Sequence, residues 1–195
     1  GLCSTVYGDL VCRGCKRFHH EVIHWNGYDG TPLDGLLYTP DGVKAGEKLP
    51  MMIYFYEKNS QTLYNHISPA PSRSIICIPF YVSRGYVVFV PDIKYKDGHP
   101  GESAYNCICS GAEAMCSRFP FIDKERMAIQ GQSWGGYQTA YLVTRTDMFA
   151  AAGAGAPVGN MTSAYGGIRW SSGMVRAMQY EHGQSRIGKS LWDEG

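Results

Sequence analysis

The stretch Arg126-Met127-Ala128-Ile129-Gln130-Gly131-Gln132-Ser133-Trp134-Gly135-Gly136-Tyr137 constrains this chain more than any other. Met127 to Gln130 has the apolar pattern of a buried strand and runs into glycine, and Tyr137 to Val143 continues as an apolar, helix-compatible segment. Ser133 lies between them in Gly-x-Ser-x-Gly spacing. A strand, a sharp turn and a helix form the setting of a nucleophile elbow, in which the serine backbone is strained and its hydroxyl is lifted clear of the sheet. The positions two before and two after the serine approach so closely that side chains would clash, which explains glycine at both. The first turn of the following helix would lend its positive dipole end to a developing oxyanion. The spacing alone leaves a second reading open, a strand-to-helix turn whose serine only caps the helix.

The rest of the chain supplies a sheet for such a turn. Glu21 to Trp25 reads as a strand, the Asp29-Gly30 turn follows, and Leu33 to Thr39 returns as its antiparallel partner. Leu49 to Tyr56 and Tyr86 to Pro91 are near-continuous apolar strands, the pattern of a sheet covered on both faces. Between them, Ser74 to Ser83 is expected to turn helical around Pro79. A second helix is expected near Ser103 to Ser117, weakened by Gly111. Phe149 to Ala156 is a small-residue strand ending at Pro157, and Met174 to Gln184 is expected to form a helix. Apolar strands alternating with helices imply an α/β fold with a mostly parallel sheet behind an N-terminal antiparallel hairpin. In such sheets the reactive groups gather beyond the carboxyl ends of the strands. Ser133 and the loops at Tyr56, Asp92 and Pro157 should meet there.

Composition removes several classes. At 195 residues the chain fits one domain with a sizeable core. Its formal charge of +1, without a basic run, offers no field for nucleic acid. No apolar run reaches the length of a membrane span, and no signal-like segment opens the chain; an exported and a cytoplasmic location both stay open, with cysteine usage tilting slightly to a reducing compartment. Seven cysteines, an odd number, argue against a fully paired disulfide framework. Cys77, Cys107, Cys109 and Cys116 fall in apolar stretches and read as small buried hydrophobes. Cys12 and Cys15, followed by His19 and His20, have metal-like spacing but not four well-placed ligands, so neither a metal nor an organic cofactor is expected. Residues 1–18 read as a linker or as the tail of a preceding unit, and residues 19–195 as part of a catalytic-type domain.

Gly131-Gln132-Ser133-Trp134-Gly135-Gly136-Tyr137 resembles the nucleophile motif of the prolyl oligopeptidase (S9) family of serine peptidases. Gly35 to Pro40, Val88 to Asp92, Gly98-His99-Pro100-Gly101 and Ala156-Pro157-Val158 also stand where that family has similar segments, so the resemblance extends over about residues 21–195. It implies an α/β-hydrolase fold, truncated before its C-terminal strands, and a preceding β-propeller whose tail would be residues 1–18. It also implies an oxyanion hole formed by the backbone N–H of Trp134 and the hydroxyl of Tyr56. The family often follows that tyrosine with Gly-Gly-Pro or Ala-Gly-Pro, whereas this chain has Glu57-Lys58-Asn59, so the loop must take its own path. In the pocket for the residue before the cleaved bond, Tyr165 and Trp170 are the candidates. Packing on a surface helix explains those two equally well.

A serine needs a base. In α/β-hydrolases the order along the chain is serine, acid, histidine. After Ser133 the sole histidine is His182, in an expected helix, and Asp147 comes too early for the acid loop. His99 precedes the serine. The expectation is that the acid and the histidine lie beyond Gly195 and that this chain alone is inactive. The expected partners are a peptide substrate and the rest of the parent chain, with a homo-oligomer left open and no nucleic acid or membrane partner. An esterase on the same fold, or a non-catalytic module that has kept it, is the alternative.

Overall fold

The computed structural model describes residues 18–65, 67, 72 and 74–193; the linker expected at the N-terminus, with Cys12 and Cys15, lies outside them except for Phe18. Six strands form one sheet: β1 (Phe18–Asn26), β2 (Pro32–Pro40), β3 (Leu49–Tyr54), β4 (Val87–Pro91), β5 (Ile122–Gln132) and β6 (Ala151–Gly155). Their order across the sheet is β1-β2-β4-β3-β5-β6. The β1–β2 hairpin is antiparallel and meets β4 antiparallel, whereas β4, β3, β5 and β6 run parallel. This is the mostly parallel α/β-hydrolase sheet with an antiparallel N-terminal hairpin that the sequence implied.

The helices follow from the same patterning. α1 (Ile78–Ser83) begins with Pro79 in its first turn, where a missing N–H costs nothing. α2 (Pro100–Arg118) starts three residues earlier than expected because Pro100 opens it in the same way. Its buried face carries Ala104, Ile108, Gly111 and Met115 at helical spacing. Gly111 does not merely weaken this helix. A Cβ there would lie 2.8 Å from the ring of Phe89 and 3.0 Å from that of Trp25, so glycine lets β1 and β4 present their rings directly to α2. The Trp25 indole N–H then donates to Ser110 Oγ on the helix at 3.1 Å.

α3 (Trp134–Val143) follows β5 directly, and α4 (Met161–Tyr165) is capped by Asn160, whose side chain accepts from the Ser163 N–H at 2.9 Å. The expected helix from Met174 to Gln184 is corrected. Met174–Val175 is strand β8, paired with β7 (Ile168–Arg169), and only Ala177–Glu181 is helical, as α5. The turn at Gly173, with a φ of 69°, folds β8 back on β7 and removes the first residues from any helix.

The largest apolar cluster lies between the sheet and α2 and includes Ile53, Phe55, Phe89, Ile108, Met115 and Ile129. A second, beneath α1, joins Leu36, Tyr38, Val82, Val88 and Val90. Cys107 and Cys109 are fully buried in the first, as expected for small apolar residues, whereas Cys77 and Cys116 are half-buried. Among the described residues, no helix is long and apolar enough to cross a membrane.

Candidate active site

Ser133 stands between β5 and α3 with φ 58° and ψ −110°. A non-glycine residue avoids this backbone region unless its surroundings impose it. Three glycines create the space. A Cβ on Gly131 would fall 2.3 Å from the Gly135 carbonyl oxygen, and one on Gly135 would fall 2.6 Å from that of Phe55. On Gly136 it would meet the Gly155 carbonyl oxygen at 2.5 Å. The turn is thus wedged between the ends of β3 and β6, with backbone on every side. The Ser133 N–H donates to the Gly155 carbonyl at 2.8 Å, and the Ser133 carbonyl accepts from the Tyr137 N–H at 3.0 Å. The side chain makes no capping bond to the helix, so the hydroxyl of this half-buried serine is not spent as a cap.

Trp134 is the first residue of α3, where helix geometry offers its N–H no internal acceptor. Its side chain is fully buried and stacks on Tyr137, with ring centroids 4.5 Å apart.

Tyr56 lies just past β3, and β3 pairs with β5 in parallel, so the two strand ends carry Tyr56 and Ser133 to the same edge of the sheet. A Cβ on Gly135 would lie 3.7 Å from the Tyr56 ring. The unusual loop after Tyr56 is held by the next strand. Buried Asp92 accepts from the Asn59 and Ser60 N–H groups at 2.6 and 2.8 Å and from the Ser60 hydroxyl. The Ile93 N–H donates to the Glu57 carbonyl at 2.8 Å. Asp92 therefore anchors the path of the loop through Glu57-Lys58-Asn59.

Tyr95 was not singled out by the sequence, and it bonds to other groups of the two residues that carry the candidate oxyanion donors. Its hydroxyl accepts from the Trp134 indole N–H at 2.9 Å and from the Gln138 amide, and donates to the Tyr56 carbonyl at 3.3 Å. Burial pushes the Tyr95 phenol up, so it stays a neutral donor and acceptor. The motif Ile93-Lys94-Tyr95-Lys96 reads as an ordinary polar loop, and no local signal marks the tyrosine.

The remaining candidates fall elsewhere. Tyr165 ends α4 and donates its hydroxyl to Glu181 on α5, a bond that raises the phenol's titration. Trp170 follows β7 and is fully exposed. His182 ends α5, with Nε2 3.5 Å from Glu181, and His99 sits before α2, with Nδ1 3.9 Å from Glu102. Among the described residues, no histidine is hydrogen-bonded to Ser133, and no cluster of His, Cys, Asp and Glu is arranged to hold a metal ion.

Comparison with known proteins matches the part of the chain that carries this site to one family. The model of the prolyl oligopeptidase family, Peptidase_S9, matches residues 74–186, more than half of the chain, including Tyr95 and the elbow. A family described as a protein of unknown function (DUF1289) matches residues 1–32, across Cys12 and Cys15. Dipeptidyl peptidase 8 of Homo sapiens is 31% identical over 153 residues, which is 71% of this chain and 16% of that protein. The uncharacterized peptidase YuxL of Bacillus subtilis is 24% identical over 181 residues, 89% of this chain and 27% of its own. Among solved structures, Pyrococcus horikoshii acylaminoacyl peptidase superposes with a TM-score of 0.68 at 19% identity, over 95% of this chain and 30% of that one. This chain therefore spans less than a third of the length of these relatives.

Proposed function

The chain belongs to the prolyl oligopeptidase family of serine peptidases, and from that premise we propose that Ser133 is the nucleophile of a peptidase of the prolyl oligopeptidase type, acting on short peptides through an acyl-enzyme. The observation that carries this reading is the strained Ser133 backbone, braced on three glycines, with a hydroxyl that caps nothing.

Ser133 Oγ attacks the scissile carbonyl carbon and gives its proton to a general base. The carbonyl oxygen takes up the negative charge and accepts hydrogen bonds from the Trp134 N–H and the Tyr56 hydroxyl. Collapse of the tetrahedral intermediate breaks the C–N bond, and the protonated base returns its proton to the leaving amine. Water, activated by the same base, then attacks the ester carbonyl, cleaving the acyl–Oγ bond and restoring the serine. The histidine base and its acid are proposed to come from residues outside the 195, since neither His99 nor His182 is hydrogen-bonded to Ser133 and each instead lies against a glutamate of its own helix region. Tyr165 and Trp170 are retained as proposed substrate-side residues.

The test uses the full-length protein and the isolated 195-residue chain side by side. A fluorophosphonate probe is expected to label Ser133 in the full-length protein, with labelling and peptide-amide turnover lost in Ser133→Ala and little labelling in the isolated chain. Turnover of esters with no turnover of amides would overturn the peptidase reading. Rapid labelling of the isolated chain would overturn the external base.

A further inference from the structure

Gln184 lies 128 residues after Tyr56 in the chain, yet its side-chain amide N–H donates to the Tyr56 hydroxyl oxygen at 2.6 Å. A phenol has one proton to donate and two lone pairs to accept with. An N–H pointed at the oxygen leaves the Tyr56 proton free to be given elsewhere. An acceptor in the same place would instead take that proton for itself. The direction of this one bond therefore decides whether Tyr56 can serve a developing oxyanion.

That direction is set from a distance. The Gln184 carbonyl end is occupied by the Gln179 amide N–H at 3.0 Å, so the Gln184 amide cannot turn around without losing a bond at each end. The Gln179 carbonyl end in turn accepts from Arg169 Nη2 at 2.8 Å and Arg176 Nε at 3.4 Å. A guanidinium only donates, so Gln179 has one orientation. Three links run one way: cation to Gln179, Gln179 to Gln184, Gln184 to Tyr56. Bonds in such a chain polarise one another, which makes the last O–H a stronger donor.

The backbone of Gln184 is also fixed relative to Tyr56. Arg186 Nη1 donates to the Gln184 carbonyl at 2.6 Å and to Glu57, the residue after Tyr56, at 3.2 Å. Its guanidinium lies 4.3 Å over the Tyr95 ring. Arg186 itself holds a φ of 50°, a left-handed conformation that a non-glycine residue adopts only when held there. These clamps connect the Gln184 segment to the loop that carries Tyr56.

We propose that Gln184 and Gln179, oriented by Arg169 and Arg176, are positioning residues that hold the Tyr56 hydroxyl as a hydrogen-bond donor to the oxyanion. This rests on the reading of Tyr56 as an oxyanion donor. β7, β8 and α5 (Ala177–Glu181) are then the scaffold that sets the polarity of the hole.

The experiment is a double-mutant cycle in the full-length protein, with kcat and KM measured on a peptide amide. Gln184→Glu keeps the shape but replaces the donor with an acceptor. It is expected to lower kcat about tenfold, the scale of one lost hydrogen bond in the transition state, with KM unchanged. Gln179→Glu keeps its arginine partners but cannot donate to Gln184, and kcat should fall about threefold, a fraction of one hydrogen bond. In a Tyr56→Phe background neither substitution should change kcat further, an outcome that mere loss of folding would not produce. If Tyr56→Phe itself leaves kcat intact, the oxyanion reading fails and this inference with it. If Tyr56→Phe lowers kcat while Gln184→Glu does not, or their effects multiply, the relay is overturned and the oxyanion reading stands.

Discussion

At Ser133 a backbone conformation that costs a non-glycine residue about 1–3 kcal/mol is held by contacts that leave no alternative. Gly135 shows how the balance is struck. Helix propensity alone would favour alanine at this first-turn position by about 1 kcal/mol. The Phe55 carbonyl 2.6 Å from the new Cβ reverses the sign, because both groups are backbone and neither can rotate aside. Gly135→Ala is expected to lose about 1–3 kcal/mol, the range of overpacking, in urea unfolding. Tyr95→Phe probes the other side of the site. It orphans the indole N–H of fully buried Trp134 and the amide of fully buried Gln138, at about 1–3 kcal/mol for each unpartnered donor. A fall in stability together with a lower kcat, as the Tyr56 carbonyl loses its tether, is the expected result. The glycines at 131 and 135 were legible from the sequence because their spacing is local. Tyr95 and Gln184 were not, because their partners lie about 40 and 128 residues away and only the folded chain introduces them.

Among the elements, those with a continuous apolar pattern were readable and those shaped by turns were not. β3 and β4 appear close to their sequence limits, since both faces are buried and the pattern is unbroken. β5 begins at Ile122, five residues before its visible apolar run. Asp123 to Arg126 hide that start, being polar around a register shift, and there the Asp123 carboxylate takes the Arg126 Nε at 2.7 Å, which holds its titration low. β7 and β8 have two residues each, too few for any periodicity. On α2 the buried thiols carry a pH signature. Burial pushes Cys107 up to about 11 and Cys109 up to about 12 from 9.0. Well below pH 9.0, the unfolded value, both thiols are largely protonated whether the chain is folded or not. As pH rises through 9.0 the unfolded chain releases protons that the folded chain retains, so stability falls toward pH 11 and 12. Urea unfolding between pH 8 and about 11 is expected to show that decline, less steep in Cys107→Ala/Cys109→Ala; the remaining slope belongs to buried phenols such as Tyr38, raised to about 12 by burial. The same protonation predicts slow alkylation of both thiols at neutral pH in the folded protein, since the thiolate is the reactive form.

Across the whole molecule, strand order is what brings the site together. The chain passes from β3 outward to β4, then crosses back over β3 to β5. That reversal places the ends of β3 and β5 at a switch point, where open α/β sheets leave a crevice. Apolar strands could be counted from the sequence, but their order could not, because each is buried on both faces and any neighbour would satisfy it. The other end of that order exposes surface. β6 is the sheet's edge among the described residues and is exposed along almost its whole length. Ile168, Trp170, Met174 and Val175, all in the β7–β8 hairpin, are 58%, 100%, 64% and 63% exposed. An unpaired strand edge and exposed bulky apolar side chains each favour association with another chain. The isolated 195-residue chain is therefore expected to sediment as concentration-dependent oligomers. Ala152→Lys, which puts a charge on the edge strand, should shift it toward monomer, and Trp170→Ser should do the same through the hairpin. The pair separates two causes. If only the lysine acts, strand pairing drives association; if only the serine acts, the hairpin's apolar surface does. A chain that remains monomeric at high micromolar concentration without either change would mean that neither surface is adhesive.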